Sequence, residues 1–240
     1  SGWSYAVWKK NFYKGVAPRD WLGFYAKHFG AVEINSSFYR EQTPETFRKW
    51  NKKTPEDFAF AVKGHRFITH VKRLKDPAEP VKRQRQSVLE LGEKLSAVLW
   101  QLPKNFVKNQ DRLLAFAKAL NTHFKDAPQV MEFRHTSWFD QETEDLLRKF
   151  SLANCISNAA DWPCWDAVTS NTAYVRLHGA ERTYHSEYGE AGLKEYAERI
   201  KAWLAEKRTV HVYFDNTGQG AAVRDALRLK EILEETPPKA

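Results

Sequence analysis

Sulfur is scarce in this chain. Two cysteines, Cys155 and Cys164, and one methionine, Met131, are all that 240 residues contain. No Cys-x-x-Cys pair or metal-ligand spacing surrounds the cysteines, which argues against a thiolate zinc site or a redox centre. A chain of this size needs no disulfide, so reduced thiols are the expectation. No apolar run approaches the roughly 20 residues of a membrane helix, and no basic-then-apolar leader opens the chain. A cytoplasmic protein with no membrane partner is expected. Glycine is also sparse, at 11 residues, and no glycine-rich phosphate turn follows the first strand, which argues against an open doubly wound nucleotide-binding sheet. There is no internal repeat and no linker-like stretch.

Basic side chains and aromatic rings are what the sequence has in quantity. Lys and Arg number 38 against 30 Asp and Glu, for a formal charge of +8. Much of the surplus falls between Lys63 and Arg85. Such a surplus favours anionic partners, from phosphorylated metabolites to nucleic acid, although a solvated basic surface explains it equally well. Nine tryptophans lift the aromatic share to 14%. Most should fill the core, since large rings bury large areas. Trp3, Trp8, Trp138 and Trp162 follow strand ends, where they either pack or stack on a sugar ring or base.

Short β-rich apolar runs alternate with longer amphipathic ones. Strands are predicted over Ala31–Ser36, Phe58–Lys63, Ser96–Gln101, Gln129–Arg134, Leu152–Ser157, Ala173–His178 and Thr209–Phe214. Helices are predicted over Arg19–His28, Glu45–Lys53, Pro80–Glu93, Gln110–His123, Gln141–Phe150, Glu190–Glu206 and Ala221–Glu234. This alternation points to an α/β chain with a parallel sheet. Ser1–Tyr5 reads as the tail of an eighth strand, shortened at the N-terminus. Eight strands and 240 residues match a single (β/α)8 TIM barrel over residues 1–235, with 236–240 a frayed tail.

Within barrel strands, alternate residues face the axis and the helices. Val32 and Ile34 oppose Glu33 and Asn35; Phe58, Phe60 and Val62 oppose Ala59, Ala61 and Lys63. Met131 and Phe133 oppose Val130, Glu132 and Arg134; Val175 and Leu177 oppose Tyr174, Arg176 and His178. The bulky apolar set suits the helix side, so the polar set must face the axis, with Gln101 ending its strand likewise. Charges cost several kcal/mol each in a barrel interior unless paired or solvated. These lie near the strands' C-terminal ends, where barrel enzymes place their chemistry. The group is either a self-neutralising plug or an active site, and the active site is the preferred reading.

Several segments resemble the bacterial YecE-like family, the domain of unknown function 72. They are the opening Ser1-Gly2-Trp3-Ser4-Tyr5 with Trp8, Val32–Tyr39, Phe60-Ala61-Val62-Lys63, Phe67–His70, Leu99–Pro103, Glu132-Phe133-Arg134-His135 with Trp138, Val175–Gly179 and Tyr213–Asn216. The resemblance spans essentially the whole chain. It implies a TIM barrel, described for the family as sugar-isomerase-related by analogy of fold. The family has a few residues ahead of its Ser-Gly-Trp. It often carries Asn-Asn-Asp after Tyr-Phe, where this chain has Asp215-Asn216-Thr217, which leaves the role of Asp215 open.

Four residues are candidates for catalysis. Glu132 is a carboxylate base or the partner of Arg134, which would keep it ionised. His178 suits proton transfer in either direction. Lys63 can bind an anion, pair with Glu33 or act as a Schiff-base nucleophile; anion binding or pairing is favoured. Glu33 completes the group. Substrate contacts are expected from Arg134, Arg176, Asn35, Gln101, Tyr5, Trp138 and His135. Asn216 and Gly218 are added because the turn at 216–220 leads into a helix, where freed N–H groups bind anions. The basic loop 64–73 could steer an anion inward, and the loop 179–189 has the composition of a lid. Glu33, Glu132, His135, His178 and Asp215 are acceptable metal ligands, but the interleaved Lys63, Arg134 and Arg176 disfavour a divalent cation. No cofactor is expected. The leading expectation is an isomerase, lyase or hydrolase acting on a small anionic molecule by acid–base chemistry. The alternatives are nucleic-acid binding or processing, without a recognised binding motif to support it, and a metabolite-binding barrel without turnover.

Overall fold

The computed structural model describes residues 1–235; the expected tail at 236–240 lies outside them. Seven parallel strands run in chain order: β1 Ala31–Ile34, β2 Ala59–Lys63, β3 Leu95–Gln101, β4 Gln129–Glu132, β5 Ala153–Asn158, β6 Thr172–Leu177 and β7 Thr209–Phe214. The eighth strand is a correction: Ser1–Tyr5 forms no strand. The segment nonetheless fills the eighth place. Gly2 N–H donates to Glu33 O at 2.8 Å, and the Ser1 nitrogen donates to Phe214 O. It therefore bridges β1 and β7, and the barrel is nearly closed.

The helices are α1 Trp21–Tyr25, α2 Ser36–Tyr39, α3 Pro44–Lys52, α4 Ala78–Val88, α5 Gln110–His123, α6 Gln141–Lys149, α7 Gly189–Ala205 and α8 Ala221–Glu235. Local chemistry sets several of their starts. Thr43, Asn109 and Asp140 cap α3, α5 and α6, their side-chain oxygens accepting from Thr46, Arg112 and Thr143 N–H. Such caps satisfy donors that a helix start leaves free. The β5–β6 connection carries no helix, only an irregular loop in which Trp165 stacks on Phe139 at 5.3 Å. No helix among the described residues is long and apolar enough to cross a membrane.

The alternation holds. Val32, Ile34, Phe58, Phe60, Val62, Met131, Phe133, Val175 and Leu177 belong to the large helix-facing core. A second, smaller cluster fills the axis: Ala61, Ala97, Leu99, Val130, Ala153, Cys155, Tyr174 and Tyr213. Its alanines on β2, β3 and β5 leave room for the rings of Tyr174 and Tyr213, whose centroids lie 5.2 Å apart. Large and small inward residues thus fill one cross-section, as close packing demands.

The sheet is unevenly joined. The β6–β7 ladder pairs six residues, Thr172↔Thr209 to Leu177↔Phe214, whereas β4–β5 pairs only Val130↔Ala153 and Met131↔Asn154. The barrel is therefore two arcs, β1–β4 and β5–β7, meeting at a short ladder on one side and at the Ser1–Gly2 seam on the other.

Candidate functional site

Above the packed axis layer lies a layer of charge. Arg176, fully buried on β6, reaches across the barrel. Its Nε donates to Glu33 at 3.0 Å and 3.1 Å and its Nη2 to Glu33 Oε1 at 2.8 Å. Nη1 donates to Glu132 Oε2 at 2.9 Å, and Nη2 also to Asp215 Oδ2 at 3.0 Å. Tyr174 Oη donates to Glu33 at 2.6 Å. Glu132 Oε1 accepts from Arg134 Nε at 2.6 Å and Ser157 Oγ at 3.2 Å. Burial alone would push the Glu132 carboxyl up, but Arg134 and Arg176 together hold it well below the usual range. Asp215 is held down against burial in the same way, by Arg176 and then His178.

The tautomer of His178 follows from its neighbours. Arg176 Nη1, which can only donate, lies 3.1 Å from Nε2, so Nε2 accepts and the ring is neutral with its proton on Nδ1. Nδ1 lies 3.1 Å from Asp215 Oδ2, off the line of a good hydrogen bond. Burial, then Arg176, lowers the His178 pKa, which agrees with a neutral ring.

A cleft of about 530 Å³ opens above this layer, at the C-terminal ends of the strands. Of the four catalytic candidates only Lys63 lines it. Glu33, Glu132 and His178 lie sealed beneath it, with no exposed surface, in an ionic layer. Glu33 and His178 accept from Arg176, and Glu132 from Arg176 and Arg134. Glu132 is thus the partner of two arginines, and Glu33 pairs with Arg176 rather than with Lys63. The plug and the cleft are both present, one on top of the other.

Of the expected substrate contacts, Tyr5, Asn35, Gln101 and Arg134 line the cleft. Arg176 lies under its floor. Four others do not line it. Trp138 is buried among Phe106 and Phe133, its Nε1 donating to Phe106 O at 2.7 Å. His135 turns away to accept from Ser137 N–H at the start of a short 3-10 turn. Asn216 is fully buried and ties Ser186 O to Asp225. Gly218 N–H donates to Tyr184 O at 2.9 Å, so it is not free for an anion. A Cβ there would meet that carbonyl at 2.8 Å, and this close approach is what requires glycine.

Several cleft residues were not among the expected contacts. Phe38 and Tyr39 come from α2, which directly follows β1; Ser37 Oγ bonds Ile34 O and Lys63 O, fastening the ends of β1 and β2 together. Lys104, after β3, and Arg134 both lie over the Trp162 ring, at 4.9 Å and 3.9 Å. Trp162 also donates to Ser157 Oγ at 3.1 Å. Arg66 and His70 from the basic loop, and Tyr184 from the lid-like loop, stand at the rim with Asp215 and Thr217. Tyr184 adopts a positive φ of 66°.

Lys63 is set apart by what it lacks. Its Nζ lies 4.3 Å from the Phe38 ring centroid. Among the described residues, no carboxylate makes an ion pair with it. Burial, and secondarily the Arg176 charge, pushes its ammonium down to about 8.

A larger, shallower depression of about 740 Å³ lies at the opposite rim, around Gln129, Leu152 and Thr172. Two of its charged groups are already paired, Asp126 with Arg85 and Arg148 with Glu144. No cluster of His, Cys, Asp and Glu among the described residues is arranged to hold a metal ion.

Comparison with known proteins agrees with this architecture. A DUF72 family protein from Thermotoga maritima superposes with a TM-score of 0.84 at 29% identity, covering 98% of this chain and 97% of that one. One from Enterococcus faecalis V583 gives 0.83 at 22% identity, with 96% and 93% covered. UPF0759 protein YunF of Bacillus subtilis is 25% identical over 91% of this chain and 88% of its own length. UPF0759 protein YecE of Escherichia coli K12 is 27% identical over 60% of this chain and half of its own. The family model for the protein of unknown function DUF72 matches residues 1–240, and the chain belongs to that family.

Proposed function

We propose that this barrel is an enzyme acting on a small anionic molecule by acid–base chemistry, with Lys63 as the proton-transferring group. One observation carries the reading. The cleft at the strands' C-terminal ends gathers Lys63, Arg66, Lys104 and the free end of Arg134 against a single lining carboxylate, Asp215. Among the described residues Arg134 bonds only through its Nε, to Glu132, which leaves its two terminal nitrogens for a ligand, in the forked geometry that suits phosphate or carboxylate. About 530 Å³ is the size of a metabolite site, which favours a small molecule over a nucleic-acid duplex. Tyr5 and Tyr184 supply apolar faces with polar tips, suited to a hydroxylated carbon skeleton.

Lys63 is the group whose charge state can change near neutrality, since its ammonium sits at about 8. Glu132 and Asp215 are held ionised by their arginine neighbours and the His178 ring is neutral, so these groups fix the field rather than exchange protons.

Isothermal titration with inorganic phosphate at low salt tests the anion site. Binding is expected, weakened about tenfold in Arg134→Gln and in Lys104→Gln. Equal affinity in both variants and the parent chain, or no binding, would remove the reading.

A further inference from the structure

We propose that Lys63 forms a Schiff base with a small anionic aldehyde or ketone, so that the substrate class is a carbonyl compound carrying phosphate or carboxylate. This rests on the anion-site reading and adds covalent chemistry to it.

The geometry supplies the argument. A lysine used only to hold an anion or a carboxylate keeps its charge, and proteins supply it with a counter-ion or with water. Lys63 is nearly buried, at 7% exposure. The carboxylates of the layer and the rim are already taken: Glu33 by Arg176 and Tyr174, Glu132 by Arg134 and Arg176, Asp215 by Arg176. Its amine end lines the cleft, where a ligand can reach it. The Phe38 ring favours the ammonium through its π face, but burial and the neighbouring Arg176 outweigh it. At pH 7 roughly a tenth of such an amine is neutral, the form that attacks carbonyl carbon.

The step balances without a co-reactant. The Lys63 nitrogen lone pair adds to the carbonyl carbon while the C=O π pair moves to oxygen, and an amine proton passes to that oxygen to give a carbinolamine. The C–O bond then breaks with a second proton, so amine plus carbonyl yields imine plus one water and nothing is oxidised or reduced. Tyr5, whose phenol is pushed up by burial and so keeps its proton, lines the same cleft and can donate to the departing hydroxyl. Once protonated, the imine puts its positive charge where the ammonium stood. There the charges of Glu132 and Glu33 act on it as they did on the ammonium. Arg66, Lys104 and the free end of Arg134 would hold the anionic end of the substrate.

Trapping tests this on the whole chain. The protein is incubated with glycolaldehyde phosphate and sodium cyanoborohydride, and peptides are mapped by mass spectrometry. A single adduct on Lys63 is expected, suppressed by inorganic phosphate and formed at least about tenfold more slowly with unphosphorylated glycolaldehyde. Lys63→Arg should lose the phosphate-suppressible adduct altogether, leaving only the slow labelling of exposed lysines. Phosphate binding by the parent chain with Lys63 labelled no faster than exposed lysines would overturn the Schiff base and leave the anion site standing. Neither binding nor labelling would overturn both.

Discussion

At the residue scale, the quantity that matters most is the charge on Lys63. Its ammonium is pushed down to about 8, first by burial and then by Arg176, whereas an unfolded lysine titrates near about 10.4. Below the folded value both states are protonated, and the native protein bears the whole cost of a buried charge. Between the two values the native amine is neutral while the unfolded one is not, so the cost fades as pH rises; above both it is gone. Lys63→Met should therefore raise stability at pH 7 by about 1–3 kcal/mol. The gain should shrink toward zero near about pH 10, as read from urea midpoints across the range. A gain independent of pH would mean that packing rather than charge is responsible. Parity along the strands was enough to find Lys63, Glu132 and Arg176 in the sequence. It could not rank them, because whether a polar group faces the cleft or the sealed layer depends on how far along the axis its neighbours reach.

At the element scale, the expected contacts that lie outside the cleft fall where strands stop. Arg134 is the last residue of its segment to keep the alternation, and beyond it the chain tightens into a 3-10 turn over Thr136–Trp138. Trp138 is thereby carried to the outer core, and a strand-end tryptophan looked like a ligand platform only because its turn was not legible. Lys104, Phe38 and Tyr39 were missed for the converse reason: they sit on loops and on the short α2, where no period marks a side chain as inward. Helix bounds were more readable, α5 agreeing at both ends, since its capping Asn109 and its apolar stripe are both local signals. Trp138→Phe should lower stability by about 1–2 kcal/mol through loss of its bond to Phe106 O. Phosphate affinity should be untouched. A variant of full stability but weakened anion binding would return Trp138 to the site.

At the scale of the whole molecule, Arg176 belongs to the β5–β7 arc, while two of its partners, Glu33 and Glu132, belong to β1 and β4 of the other. One side chain thus spans both joints, the short β4–β5 ladder and the Ser1–Gly2 seam. Arg176→Met should cost about 3–5 kcal/mol, since it strands buried carboxylates. Arg176→Lys should not restore the loss, because an ammonium lacks the fork that reaches Glu33 and Glu132 together. Hydrogen exchange should quicken most for amides of β4, β5 and Gly2, and less in the middle of β2 and β3; uniform acceleration would count against a role at the joints. This division of labour bears on how such a chain can change over time. Neither arc is free to drift alone, because a carboxylate lost from one strands a cation in the other. Half of the cylinder, transplanted into a different protein, would bring with it a charge that its new host could not answer.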